Sequence, residues 1–236
     1  MQKNISIIFS VFNELSLTFF EASLKQLCCN PRVEVICVDG GSTDGTKELV
    51  KSYGAILIET QGHSRAHRLN VGIYSAQNDL IFLHHPRSFI DATAIEYMLE
   101  HYEELKWGGL THRFDQTHFL LKFTSWYSNN VRAKIREIFY LDHCIYFKRS
   151  LFSTYQTIVP EIVIFEDTAL SERLSHVAPG VLLPFESTTS SIRFNKNGVY
   201  KQALLNQIMK IGYLLNISDE VMNKVYEKGL SLNSKY

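Results

Sequence analysis

The sequence predicts an α/β fold of the Rossmann-like kind, with a mostly parallel central sheet flanked by helices and continued into C-terminal helices. Three observations predict it. Short apolar runs rich in β-branched residues alternate with segments of helical period, the pattern of βαβ units. The fourth such run is apolar on both faces, as buried parallel strands are. No repeat or low-complexity linker divides the 236 residues, and 45% hydrophobic content suffices for a sizeable core.

In chain order, Ile5 to Val11 is the first predicted strand and Leu15 to Cys29 the first helix. Glu34 to Val38 is the second strand, and Asp44 to Tyr53 the second helix, closed by Gly54 as a C′ glycine. Ala55 to Glu59 and Leu80 to His84 are the third and fourth strands, with a helix from Ser64 to Ala76 between them. The second half is less regular. A strand is expected near Leu110, a helix from about His118 to Ile135, a strand from Ile145 to Lys148, and a helix through Asp167 to Ser175. An amphipathic segment then runs from Tyr200 to Tyr226, placing Leu204, Ile208, Ile211 and Leu215 on one side. A core-facing helix is the ordinary reading of that stripe, and a helix laid on a membrane surface the alternative.

Composition excludes several classes. Lys and Arg total 24 against 24 Asp and Glu, so no net charge points to nucleic acid. The four cysteines show no CxxC spacing and read as reduced thiols, which fits a cytoplasmic protein, at most peripheral at the inner face of a membrane. The N-terminal apolar run is too short for a signal peptide, and no apolar stretch approaches the roughly 20 residues that span a bilayer.

Ligands of open α/β sheets bind beyond the carboxyl ends of the strands. Those ends are Phe12-Asn13-Glu14, the run VDGGSTDGT from Val38 to Thr46, and His84-His85-Pro86-Arg87. In VDGGSTDGT the glycines permit close approach by a ligand, and Ser42, Thr43 and Asp44 are natural helix caps. Neither GxxxxGK[ST] nor GxGxxG occurs, so this is no P-loop and no dinucleotide loop.

The series SIIFSVFNE, EVICVDGGSTDGT, a strand ending near His84, and FEDTALSERL from Phe165 to Leu174 resembles the family 2 glycosyltransferases of GT-A fold. More narrowly, it looks like a small bacterial branch with GRAxQxNxG, FLHAD, GDQ and ED motifs. Gly62 to Gly72 stands for the first of these four and Leu141-Asp142-His143 for the third. The resemblance covers nearly the whole chain and implies a single domain over 1–236. Its nucleotide-binding half is 1–88, its acceptor and catalytic half 89–199, and its C-terminal helices 200–236.

The resemblance also implies a function: inverting transfer of a sugar from a nucleotide-sugar, UDP- or another NDP-sugar, to a carbohydrate or lipid-linked hydroxyl acceptor. Asp39 would read the base, with Phe12, Asn13 and Glu14 flanking base and ribose, and Gly40, Ser42 and Asn70 completing the nucleotide site. Asp167 would be the general base and Glu166 its neighbour in the ED dyad. Asp142 and His143 would line the acceptor side.

The metal loop departs from the family, because Pro86 stands where FLHAD has its aspartate. Three readings stay open. His84 and His85 could ligate a cation such as Mn or Zn more readily than Mg. Arg65, Arg68, Arg87 and Arg193 could hold the diphosphate instead. Or catalysis is lost, and the protein binds a nucleotide-sugar or a partner without turnover. A nucleotidyltransferase is disfavoured, since no glycine- and basic-rich N-terminal loop for a triphosphate is present.

Overall fold

The computed structural model describes residues 4–61, 64–152, 155 and 157–227. Gly62 and His63 of the GRAxQxNxG-like segment, and the predicted C-terminal stretch beyond 227, lie outside them. The elements begin β1 (Ile5–Val11), α1 (Thr18–Leu27), β2 (Val33–Asp39), α2 (Thr46–Ser52), β3 (Ile56–Glu59), α3 (Arg65–Ser75) and β4 (Leu80–His84). Next come β5 (Ser88–Ile90), α4 (Ala92–Glu100), β6 (Trp107–Phe114), α5 (Phe119–Tyr127), a π-helical turn (Ser128–Ala133) and β7 (Ile145–Lys148). The chain continues through α6 (Glu166–Ser175), β8 (Val181–Thr189), α7 (Ile192–Asn197), α8 (Val199–Leu214) and α9 (Asp219–Glu227).

One eight-stranded sheet runs β3-β2-β1-β4-β7-β6-β8-β5. Its first four strands are mutually parallel, with Ile5 opposite both Val33 and Leu80. β7 pairs antiparallel with β4 and β6, while β6 and β8 are parallel again. All seven residues of β1 and all five of β4 are buried, as their two-sided apolar pattern requires. Helices cover both faces. One core gathers Phe9, Phe20, Phe82 and Met98, and the other Ile8, Trp107, Phe139 and Phe147.

Local chemistry explains the element ends. Ser64 caps α3 by accepting the His67 N–H, and Asp91 caps α4 by accepting the Thr93 N–H. Gly54, at φ +74°, turns the chain out of α2 as expected. The sequence reading did not foresee β5, α4, β8 or α7. β8 contains Pro184, a residue that ordinarily argues against a strand interior. The register passes from Leu110 opposite Leu183 to Thr111 opposite Glu186, so Pro184 and Phe185 sit in a bulge where no ladder donor is needed. The single segment expected from Tyr200 to Tyr226 is instead two helices, separated at Asn216 with φ +55°.

One topological feature positions the site. β4 lies within the sheet and β5 at its far edge, yet only His85, Pro86 and Arg87 separate them in sequence. The sheet therefore curls until the β8–β5 edge meets the tip of β4. Two bonds close the junction: Ser190 N–H to the Arg87 carbonyl, 2.9 Å, and Ser88 Oγ with Thr189 Oγ1, 2.8 Å.

Candidate functional site

The tips of β1 and β2 are tied to each other. Asn13, at φ +54°, donates its N–H to Ser42 Oγ (2.8 Å) and accepts the Thr43 N–H (2.9 Å). Glu14 N–H bonds Thr46 Oγ1 and Leu15 N–H bonds Asp44. Asp39 is fully buried beneath this loop. It accepts the N–H groups of Gly41 (2.7 Å) and Ser42 (2.8 Å) and the Ser42 hydroxyl. Its carboxylate shapes the loop rather than standing free to meet a base, which revises the role expected for Asp39 and Ser42.

A small cavity of about 60 Å³ opens at the strand tips, lined by Ser10, Phe12, Glu14, His84 and Pro86 and by Arg65, Arg68, Arg87 and Arg193. Arg68 is buried and donates Nε–H to Ser10 Oγ, 2.8 Å. A Cβ on Gly40 would stand 2.5 Å from Arg68 Nη1, so glycine there admits the guanidinium. Arg193 donates to Tyr226 Oη, 2.6 Å. Arg87 Nη1 is buried with no hydrogen-bond partner. Burial, with the Arg193 charge second, pushes Arg87 down to about 10, so it stays cationic at neutral pH. Burial raises Glu14 against the opposing pull of Arg87 and Arg193.

A larger cavity of about 200 Å³ adjoins it and shares Arg65, His85, Arg87, Leu141 and Arg193 with the first. Asp167 lines this second cavity, with its oxygens accepting the Leu141 N–H (3.1 Å) and the Thr168 N–H (2.8 Å). Burial first, and the Glu166 charge second, raise its pKa, while Arg65 opposes them. Glu166 lies beneath, fully buried and ion-paired to Arg65. Asp142 faces the same cavity with the opposite balance: burial raises it, but His85, His112 and Arg193 hold it at about 2. Of the two carboxylates, Asp167 has the better basicity for accepting a proton near neutral pH. The backbone is strained around both cavities. Among the described residues, five non-glycine residues have positive φ, and three of them, Asn13, Cys144 and Phe165, directly flank these site segments.

A family model described as glycosyl transferase family 2 matches residues 6–156, more than half of the chain. The chain belongs to glycosyl transferase family 2. The comparison with curated proteins returns no match. Among solved structures, the family 2 chain is similar to residues 1–349 of S. aureus TarS, with a TM-score of 0.62 and 14% identity over 94% of this chain and 69% of that one. It is similar to mannosyltransferase PcManGT from Pyrobaculum calidifontis, solved with GDP-Man and Mn2+, with a TM-score of 0.62 and 15% identity over 89% of this chain and 61% of that one. Glucosyl-3-phosphoglycerate synthase from Mycobacterium tuberculosis, solved with Mn2+, UDP and glucosyl-3-phosphoglycerate, gives 0.55 and 13% over 80% and 70%. At such identities the likeness establishes the fold, which is GT-A.

Other expected site residues of this family 2 chain need correction. Asn70 is buried and clamps Val159, donating to its carbonyl (2.8 Å) and accepting its N–H (2.9 Å), so it braces a loop instead of facing the cavity. His143 is fully buried, with Nδ1 on the Leu110 carbonyl (2.9 Å) and Nε2 on Ser128 Oγ (2.7 Å), so it supports the cavity wall from behind.

The loop after β4 is where the family resemblance implies a metal. His85 Nδ1 accepts the Arg87 N–H at 3.0 Å, which puts the ring proton on Nε2 toward Asp142 and leaves no lone pair for a ligand. His84 Nδ1 donates to the His85 carbonyl, and its Nε2 is buried with no hydrogen-bond partner. Among the described residues no three of His, Cys, Asp and Glu are grouped to hold a cation. With Pro86 unable to ligate, the residues present do not fit a metal held by the protein.

Sequence reasoning missed His112, Arg132, Tyr140, Lys210 and Tyr226. His112 lines the larger cavity, buried, with neither ring nitrogen partnered. Arg132 lies 3.5 Å above the Tyr140 ring on the π-helical turn, a distortion common at functional sites. No motif marks these residues; the curl of the sheet assembles them.

Proposed function

We propose that this chain transfers a sugar from a nucleotide-sugar to a hydroxyl of a carbohydrate or lipid-linked acceptor with inversion at the anomeric carbon. Asp167 serves as general base. The nucleoside diphosphate end of the donor enters the small cavity, where Arg65, Arg68, Arg87 and Arg193 offset the charge of the diphosphate. Phe12 and Glu14 flank the nucleoside, and Asp39, Gly40, Ser42 and Asn13 shape the loop beneath it. The acceptor lies in the larger cavity beside Asp142 and His112. Asp167 takes the hydroxyl proton as the oxygen forms its bond to the anomeric carbon and the bond to the diphosphate oxygen breaks.

The observation that carries this reading is Asp167, a carboxylate of raised pKa in the larger cavity that accepts the N–H of Leu141, a residue also lining the adjoining arginine-lined cavity. Crowding of Arg87 and Arg193, with a buried unpartnered guanidinium nitrogen, favours a multivalent anion at that place. A panel of nucleotide-sugars tested for thermal stabilisation and then for transfer addresses it, with a bound ligand at about 100 times its Kd adding roughly 2.7 kcal/mol.

Pro86 favours a second reading, in which the site binds a nucleotide-sugar without turnover. Nucleotide binding with neither transfer nor hydrolysis of any donor would select it.

A further inference from the structure

Helix α8 is built with its apolar stripe outward. Leu204, Ile208, Ile211 and Leu215 are 62%, 49%, 56% and 68% exposed, whereas Gln202 is 1% exposed and bonded to Asn197 and Asn206. The core-facing role expected for that stripe is therefore wrong, because the cavity claims the polar side of the helix. Helix α5 repeats the arrangement, with Phe119, Phe123 and Trp126 exposed along one side. The two helices lie alongside each other. The His118 and Tyr200 rings are 6.1 Å apart, and the Lys210 ammonium is 5.6 Å from the Tyr127 ring centre. The larger cavity lies between them, lined by Thr124 and Ser128 on one side and Ala203, Gln207 and Lys210 on the other.

Charge is segregated onto the same elements. Residues 116–136 and 187–218 hold eight Lys and Arg and no Asp or Glu, in a chain whose totals balance at 24 each. Lys122, Lys134, Arg136, Lys196 and Lys201 are exposed. The basic region ends at Asp219 and Glu220, where α9 begins. An outward stripe of aromatic and aliphatic residues flanked by Lys and Arg is the chemistry of a surface that lies in an anionic lipid interface. A second copy seated on this face would set cations against cations. Among the described residues no helix is long and apolar enough to cross a membrane, so the contact is on the surface.

We infer that the α5–α8 face docks on an anionic phospholipid bilayer, presenting the larger cavity to an acceptor held at that surface. This rests on the reading of that cavity as the acceptor site. Co-sedimentation of the whole protein with phosphatidylcholine vesicles, with and without phosphatidylserine, tests it. Binding should be at least about tenfold stronger with phosphatidylserine and should fall as salt is added. It should be lost in Leu204→Asp/Ile208→Asp, in Phe123→Ser/Trp126→Ser and in Lys122→Glu/Lys201→Glu, all of which keep wild-type nucleotide affinity. Equal binding to both vesicles, or none, overturns the inference, as does a dimer without vesicles that Ile208→Asp dissociates. Vesicle binding with no transfer of any donor sugar would sink the catalytic reading and leave the docking intact.

Discussion

In the β1–β4 half, apolar strands are buried and the polar groups at their tips are tied to one another; in the α5–α9 half, a glutamine is buried and leucines face outward. Both inversions of the usual rule occur next to a cavity. Around the small cavity, burial places Arg68 and Asp39 among partners that hold a loop. Around the larger one, the polar side of α8 turns inward because the cavity there is lined with charge, and the apolar side is left to the surface. The contrast teaches that the first half places buried charge at an arginine-lined cavity, and the second turns the polar side of a helix toward a cavity and its apolar side to the surface.

The sharpest break would come at the junction. Asp167→Asn should lower transfer by about 10²–10⁴-fold while nucleotide affinity, measured by calorimetry, is nearly unchanged. Surviving transfer would move the base to another residue, with His112 the next to test. The same assignment has a pH signature. Because burial raises the Asp167 pKa, the acid limb of kcat should lie above the ordinary aspartate range, with rate lost as pH falls and the carboxylate protonates. A limb at the ordinary value or below would point to Asp142 instead.

Next in size is Arg87→Ala, which should weaken nucleoside diphosphate binding by about tenfold to a hundredfold, the worth of hydrogen bonds to a charged group. Wild-type affinity should ignore chelator and fall with added salt. Pro86→Asp sharpens the point, since Pro86 lines the small cavity with His84 and an acid there should create a response to Mn2+. No response would mean the diphosphate lies elsewhere.

Smaller effects compare the two halves by stability. Asp39→Ala removes the acceptor for the Gly41 and Ser42 N–H groups and should cost about 1–3 kcal/mol in denaturant unfolding. Ile208→Asp on the outward stripe should change stability by no more than about 0.5 kcal/mol. A large loss there would show that the face is covered in the native state.

The β1–β4 half was legible because its signals are local. Buried parallel strands need two-sided apolar runs, Gly54 needs its positive φ, and Ser64 needs a helix behind it. The ED dyad at Glu166-Asp167 and the arginines were singled out in the sequence, through the family resemblance and their ability to pair with phosphate, and the fold brings Asp167 and the four arginines to the two adjoining cavities. Asn70 and His143 were misplaced because a motif fixes where a residue lies in the chain and not which way its side chain turns. Their amide and imidazole are held by Val159 and Leu110, distant in sequence.

What the sequence determined by itself was the parallel half of the sheet, since periodicity and turn chemistry act over a few residues, and, through motif resemblance, the family. Only the tertiary structure decided which groups share a cavity. β5 pairs at the far edge and curls the sheet, so His112, Arg132 and Arg193 arrive beside Asp167 from separate elements. It also decided the facing of α8. A helical stripe of leucines has one preferred partner, an apolar surface, and the pattern is identical whether that surface is the protein's own core or lies outside it.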